Sequence, residues 1–279
     1  MPTYDQYAVI GNPIDHSQSP RIHTIFANQT GHNLKYGRIL GEDKHFFQQV
    51  TEFFANGGSG LNVTLPFKEL AWQLADQCSL RAKTAQAANT LWPLSTGQLF
   101  ADNTDGIGLI RDLHENHGIN LQGKSILLLG AGGAARGVLY ALWQQQPSRF
   151  WIANRTATKA VELVKQLAPY RTSQDDIQGG SLEILDTEQF DCIINATSTG
   201  LKGKMPQIPE SCLIPGGIVY DMAYANEPTV FVRWGHEHGA AYALDGLGML
   251  VEQAAESFLL WRRIRPETTK VLELLRSFI

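Results

Sequence analysis

A chain of 279 residues is longer than one small hydrophobic core requires and suits one large or two medium domains. Its 43% hydrophobic and 18% charged residues are ordinary for a globular protein, and a net charge of −4 without charged runs argues against a nucleic-acid surface. Three scattered cysteines, Cys78, Cys192 and Cys212, exclude a disulfide framework. His236 and His238 have poor spacing for one metal, so no metal is expected. The N-terminus has no basic start before an apolar run, and no stretch reaches the roughly 18 apolar residues of a membrane span. A cytoplasmic protein is therefore expected.

Strands and helices alternate over the first hundred residues. Residues 7–10 read as a short buried strand ending at Gly11. Ser19 and Pro20 open a helix, with serine as cap and proline in the first turn. Residues 34–40 read as a second strand and 45–54 as a second helix, closed by Gly57 and Gly58. A third strand is expected at 60–65, stopped by Pro66, with helix at 70–75 and 81–88. Residues 90–94 and 98–101 read as a hairpin around Thr96-Gly97.

From residue 107 the pattern changes. Helix is expected at 107–117. The run Ser125-Ile126-Leu127-Leu128-Leu129 then reads as a central parallel strand covered on both faces. Helix follows at 134–144, strand at 150–153 and helix at 158–167. Strands are expected at 182–185, 192–195 and 218–220, and helix at 249–263 and beyond Pro266 to the end. Alternation of this kind implies right-handed crossovers and a doubly wound sheet. The expected fold class is α/β, in two domains. A substrate-binding and catalytic domain spans residues 1–106 and is completed by the helices of 241–279; a Rossmann-type dinucleotide domain spans 107–240.

The turn Gly130-Ala131-Gly132-Gly133-Ala134-Ala135-Arg136 follows a strand and opens a helix, the context that gives G-x-G-x-x-A meaning. Gly130 permits the tight turn, Gly132 lets backbone approach a pyrophosphate, and Ala135 keeps the helix close to the strand. Free amides and the dipole of the helix N-terminus favour phosphate. At the end of the second strand an NAD site usually carries a carboxylate for the ribose hydroxyl. Here the residues are Asn154, Arg155 and Thr156, with Lys159 a turn further on. A guanidinium suits a 2′-phosphate, so the cofactor expected is NADP.

Outside that fold, polar residues concentrate in three places: 11–20, 62–68, and 88–90 with 102–106. Strand alternation would put Asn62 and Thr64 on one face. Lys68 follows just past the strand end, where ligands of open α/β sheets collect.

These stretches closely resemble the shikimate dehydrogenase family: GNPIDHSQSPRIH at 11–23, NVTLPFKE at 62–69, AANTL at 87–91, DNTDGIG at 102–108, GAGGAAR at 130–136, NRT at 154–156, NATSTG at 195–200 and DGLGMLVEQAA at 245–255. The resemblance spans nearly the whole chain in family order. It implies reversible reduction of 3-dehydroshikimate to shikimate by NADPH, in aromatic amino-acid biosynthesis. It implies that Lys68 and Asp105 form the catalytic pair and that Ser17 and Ser19, helped by Tyr224, bind the substrate carboxylate. Asn62, Thr64, Asn89 and Gln253 would bind ring hydroxyls and neighbouring groups. Gly246 and Met249, with Met222, would lie near the nicotinamide, and Thr197 would join the cofactor site. These roles make chemical sense. A polyhydroxylated substrate needs hydroxyl and amide partners, and a lysine ammonium stabilises the oxygen charge left by hydride transfer. Rival readings are a quinate/shikimate dehydrogenase of broader substrate or cofactor use, a reductase of another small acid, and a non-catalytic NADP-binding regulatory module. A monomer or homodimer is expected.

Overall fold

The computed structural model describes residues 4–172, 176–197, 199 and 204–277. Ser198 and Gly200 of the 195–200 motif, and residues 278–279 of the expected C-terminal helix, lie outside that set. The chain forms two compact units, one of Met1–Gly108 with Leu250–Phe278 and one of Leu109–Met249.

In the first unit the strands are β1 (Asp5–Gly11), β2 (Leu34–Leu40), β3 (Gly58–Val63), β4 (Gln77–Cys78), β5 (Thr90–Pro93) and β6 (Leu99–Asp102). They form one sheet in the order β2-β1-β3-β5-β6-β4. β1 pairs in parallel with β2 and β3, whereas β5 is antiparallel to β3 and to β6. The helices are α1 (Ser19–Thr30), α2 (Phe46–Ala55), α3 (Lys68–Leu74) and α4 (Leu80–Ala85). α5 (Asp105–Arg111) starts here, and most of α9 (Leu247–Arg262) and all of α10 (Thr269–Arg276) belong here. Ile10, Phe46, Val50, Leu61, Phe67 and Leu91 build a dry core under the sheet.

Several local expectations need correction. β3 begins and ends two residues earlier than expected, at Gly58 and Val63, and takes in Gly58 and Gly60, which lie flush against the Phe53 and Trp261 rings, where a Cβ would stand within 2.6 Å. Thr64 and Leu65 lie just past the assigned strand but keep its pairing with β1, the Thr64 N–H donating to the Ile10 carbonyl and the Leu65 carbonyl accepting the Asn12 N–H, both at 2.9 Å. Ser19 is not the cap of α1 but its first residue. Gln18 takes the cap position without a side-chain bond, and the Ser17 hydroxyl accepts the Ser19 N–H at 3.3 Å.

The second unit contains β7 (Ser125–Leu129), β8 (Arg149–Ala153), β9 (Ile177–Gly180), β10 (Phe190–Asn195), β11 (Leu213–Asp221) and β12 (Tyr242–Asp245), with α6 (Gly133–Trp143), α7 (Ala157–Lys165) and α8 (Val230–Glu237). Every pairing is parallel and the order is β12-β11-β10-β7-β8-β9, the doubly wound arrangement. Ile126 and Leu128 enter one core and Leu127 and Leu129 another, which is why β7 reads as an unbroken apolar run.

The strand expected at 182–185 is a 3-10 turn, Leu182–Thr187, and the strand lies earlier at β9. Leu185 is fully buried, so an apolar run marks a core contact and not a strand. Gly179 in β9 faces the backbone of α7, where a Cβ would meet the Ala160 oxygen at 2.6 Å; the close crossing, not a turn, requires this glycine. The helix expected at 107–117 starts two residues sooner and turns π-helical over Asp112–Asn116. β4, α8 and β12 lie in segments for which no element was expected. Among the described residues, no helix is long and apolar enough to cross a membrane.

Candidate active site

The polar residues of the first unit converge at one end of its sheet. β3 delivers Asn62, β5 begins at Thr90 just after Asn89, and β6 ends at Asp102. The turn Asn103-Thr104 then leads into α5, whose first residue is Asp105. α9 supplies Gln253 and, one helical turn on, Ser257. Gly108 lets α5 approach this segment of α9: a Cβ there would stand 2.7 Å from that of Gln253.

Lys68 opens α3, and its ammonium donates to Asp105 Oδ2 at 2.5 Å. The lysine side chain is 16% exposed and the carboxylate 7%, so both are shielded but reachable. The other Asp105 oxygen accepts from Asn89 Nδ2 at 2.9 Å, and its own N–H donates to Asn103 Oδ1 at 3.1 Å. Asn89 is the hub. Its amide also donates to Thr104 Oγ1 at 2.9 Å and Gln253 Oε1 at 3.3 Å, while its oxygen accepts the Thr104 N–H at 2.9 Å and the Thr90 hydroxyl at 2.8 Å. Asn62 donates to the Asn89 carbonyl, Thr90 Oγ1 and Ser257 Oγ, at 3.0, 3.2 and 3.1 Å, and accepts the Tyr36 hydroxyl at 2.6 Å. Such a mutually satisfied network fixes side-chain directions before any ligand arrives.

Ser17 and Ser19 flank the start of α1. The Ser17 carbonyl accepts two bonds from Arg38, at 3.2 and 2.7 Å. Ser19 is buried and hydrogen-bonds Tyr36, whose phenol burial pushes well above its usual range. Thr64 is half-buried, its N–H donating to the Ile10 carbonyl at 2.9 Å and its methyl lying against Gly11.

The structure adds residues not proposed from sequence. Thr90, Thr104 and Ser257 belong to the network, and their signal was their position beside Asn89, Asp105 and Gln253. His23 is buried and stacks on the Tyr36 ring at 4.4 Å and 9°. Burial pushes its imidazole down to about 3, so it is neutral.

In the second unit the glycine turn lies between β7 and α6, beside the end of β10. Gly130 has φ +105, and a Cβ on it would stand 3.2 Å from the Ala196 carbonyl, so the fold itself requires this glycine. Gly132 and Gly133 differ: a Cβ on either would meet nothing within 4 Å. Neither has positive φ, and Gly132 is exposed. Their lack of a side chain leaves a bare backbone surface at the N-terminus of α6, where no side chain caps the amides. Space for a phosphate group, absent any packing reason for glycine, fits a dinucleotide at this switch point of the sheet. Ala131 and Ala135 are buried beneath the turn, and Ala134 is half-buried.

At the end of β8, Asn154 Nδ2 donates to the Thr156 carbonyl at 2.9 Å and shapes the turn into α7. Arg155, Thr156 and Lys159 are all exposed. Neither cation is paired with a carboxylate among the described residues. Thr197 follows β10, its hydroxyl donating to Asn195 Oδ1 at 2.7 Å. Met222 and Tyr224 follow β11 and are half-buried, and burial raises the Tyr224 phenol. Gly246 donates its N–H to the Ala223 carbonyl at 3.0 Å and lies so close to Met222 that a Cβ would be 2.3 Å from its carbonyl oxygen. Met249 is buried in the core. Thus Thr197, Met222, Tyr224, Gly246 and Met249 lie at or just beyond the C-terminal ends of adjacent strands β10, β11 and β12. The cysteines are free, and burial pushes the Cys192 and Cys212 thiols up to about 12. Among the described residues no group of three or more His, Cys, Asp or Glu could hold a metal ion.

Known proteins repeat this arrangement. Residues 9–91 match the family model described as "Shikimate dehydrogenase substrate binding domain". Residues 112–202 match "Shikimate / quinate 5-dehydrogenase" and 246–276 match "Shikimate 5'-dehydrogenase C-terminal domain". The chain is 51% identical over 272 residues to the shikimate dehydrogenase (NADP(+)) of Nitrosococcus oceani, covering 98% of this chain and 95% of that one. It is 52% identical over 273 residues to the same-named protein of Methylococcus capsulatus, covering 98% and 96%. Among solved structures, an enzyme of Pseudomonas putida superposes with TM-score 0.88 at 44% identity, covering 97% of this chain and 98% of that one. The shikimate 5-dehydrogenase of Thermus thermophilus, solved with NADP(H) and shikimate, superposes with TM-score 0.86 at 28% identity, covering 99% and 100%. Near-complete coverage at half identity, on the same two α/β units, leaves one conclusion: the chain belongs to the shikimate dehydrogenase family.

Proposed function

We propose that this protein catalyses the reversible, NADPH-dependent reduction of 3-dehydroshikimate to shikimate. The observation that carries the proposal is the Lys68–Asp105 pair, held at 2.5 Å beside a preorganised set of hydroxyl and amide groups. Bound NADPH supplies a hydride to the ketone carbon. The protein then has to stabilise the oxygen that gains charge and deliver a proton to it. Lys68 presents a cation for the first task and donates or relays the proton for the second. Asp105 aims the ammonium and balances its charge, and Asn89 fixes Asp105 through its second oxygen. Asn62, Thr64, Asn89 and Gln253 take the ring hydroxyls, and Ser17, Ser19 and Tyr224 take the carboxylate. A site built of such prealigned groups discriminates against analogues lacking a hydroxyl, because the hydrogen bonds that the hydroxyl would make are lost.

For the cofactor, amides of 130–135 receive the pyrophosphate. Asn154, Arg155, Thr156 and Lys159 receive the 2′-phosphate, the exposed cations there having no carboxylate partner among the described residues. Thr197, Met222, Gly246 and Met249 line the nicotinamide end. The unit of Met1–Gly108 with Leu250–Phe278 chiefly serves the substrate and that of Leu109–Met249 chiefly the cofactor, in a cytoplasmic monomer or homodimer.

The test is an assay of NADPH absorbance with shikimate, quinate and 3-dehydroshikimate against both nicotinamide cofactors. Turnover of shikimate with NADP(+), and of 3-dehydroshikimate with NADPH, is expected to exceed every other pairing by about tenfold or more. Quinate is included because the matched family description names it; equal rates on quinate, or with NAD, would refute this assignment.

A further inference from the structure

The turn into α9 is set by a buried carboxylate of the same unit. Gly248 is the tightest point: a Cβ there would stand 1.9 Å from Asp112 Oδ1 and 2.5 Å from Oδ2. Asp112 is fully buried and begins the π-helical stretch Asp112–Asn116. Its Oδ2 accepts the Tyr220 hydroxyl at 2.6 Å and its Oδ1 accepts Asn116 Nδ2 at 2.8 Å, with His117 Nε2 at 3.7 Å from Oδ1. Tyr220 is also fully buried, in β11 two residues before Met222. Burial, then the Asp112 charge, pushes its phenol well above the usual range, while the Met249 amide, hydrogen-bonded to it, acts the other way. A polar group in a dry core is costly where an apolar side chain would pack. π-helical segments are rare and concentrate at functional sites.

We propose that Asp112 and Tyr220 are positioning residues that fix the turn Gly246-Leu247-Gly248-Met249 against the nicotinamide. The carboxylate lies under Gly248 where no Cβ has room, and the Tyr220 hydroxyl ties it to β11, the strand that Met222 follows. The inference rests on the reading that Gly246 and Met249 line the nicotinamide end. Hydride transfer depends steeply on donor–acceptor geometry, whereas dinucleotide affinity comes largely from the phosphates.

The test uses the full chain with Tyr220→Phe and Asp112→Asn, measuring single-turnover oxidation of NADPH by 3-dehydroshikimate, KM for NADPH and Tm. Each variant is expected to slow hydride transfer about tenfold with KM for NADPH within about threefold, and the double variant to be no slower than the worse single one. Tyr220→Phe removes a single oxygen, so it remains informative if Asp112→Asn fails to fold. A lowered Tm with wild-type hydride transfer would make the contacts merely structural and overturn the inference. Met249→Ala separates the two layers. If it slows the step while Tyr220→Phe and Asp112→Asn do not, the positioning inference alone fails. If all three run at wild-type rate, the nicotinamide reading fails and the inference falls with it.

Discussion

In the first unit, Asn62, Asn89, Thr90, Thr104 and Ser257 are buried and hydrogen-bond chiefly to one another, with Gln253 half-buried among them. In the second, Gly132, Arg155 and Lys159 are exposed and have no comparable side-chain partners among the described residues. The contrast follows from what each region is proposed to hold. A small polyol offers several weak groups, so its partners must be aligned beforehand; a phosphate offers concentrated charge, which free amides and mobile cations can meet. It follows that substitutions should propagate in the first region and act independently in the second.

The largest effect expected is from Lys68→Ala, which should lower kcat about a thousandfold with NADPH affinity, measured separately, unchanged. Near wild-type kcat would remove the lysine from the chemistry. Gly132→Ala should raise KM for NADPH roughly 10- to 100-fold while leaving Tm near wild type, since the new Cβ meets no protein atom but obstructs the pyrophosphate. A large fall in Tm would show that the fold, and not the ligand, needs that glycine. Arg155→Ala should raise KM for NADPH about tenfold with little change for NADH, Lys159→Ala somewhat less, and Gly132→Ala with Arg155→Ala, which meet different phosphates, should multiply. By contrast Asn89→Ala combined with Asp105→Asn should fall short of the product of the singles, because each removes part of the same network. Multiplicative behaviour in both regions would erase the contrast.

The smallest effect at neutral pH is expected at His23. Its folded value near 3 lies below the ordinary 6.5, so the neutral ring contributes stability that is present above pH 6.5 and lost as pH falls toward 3. His23→Phe should remove up to about 1.4 kcal/mol per pH unit from the acid-side slope of unfolding free energy. Urea titrations between those limits measure it, and identical slopes would mean that the ring is protonated in the fold.

Elements with a pure pattern are legible in the amino-acid order itself. β7, buried on both faces, and the glycine turn after it can be read in place because burial and turn chemistry leave direct marks on composition. β9 cannot, because its Gly179 answers to a neighbouring helix instead of a turn. Lys68 and Asp105 come from family motifs; neither residue alone distinguishes a catalytic group from a surface lysine or a helix cap. Ser257 and Tyr36 carry no local signal because their contacts with Asn62 join segments distant in sequence. Asp112 reads as an ordinary helix residue, since nothing local announces a π turn or a tyrosine a hundred residues away.

The first unit is interrupted: its opening segment ends at Gly108 and its closing one begins at Leu250. A ribosome makes the intervening unit before it supplies Ser257, the hydroxyl that meets Asn62, Thr90 and Thr104. The dinucleotide-type unit is contiguous and can fold as it emerges, while the older segment waits with its asparagine and threonines incompletely matched. During synthesis, then, the half made first is the half finished last.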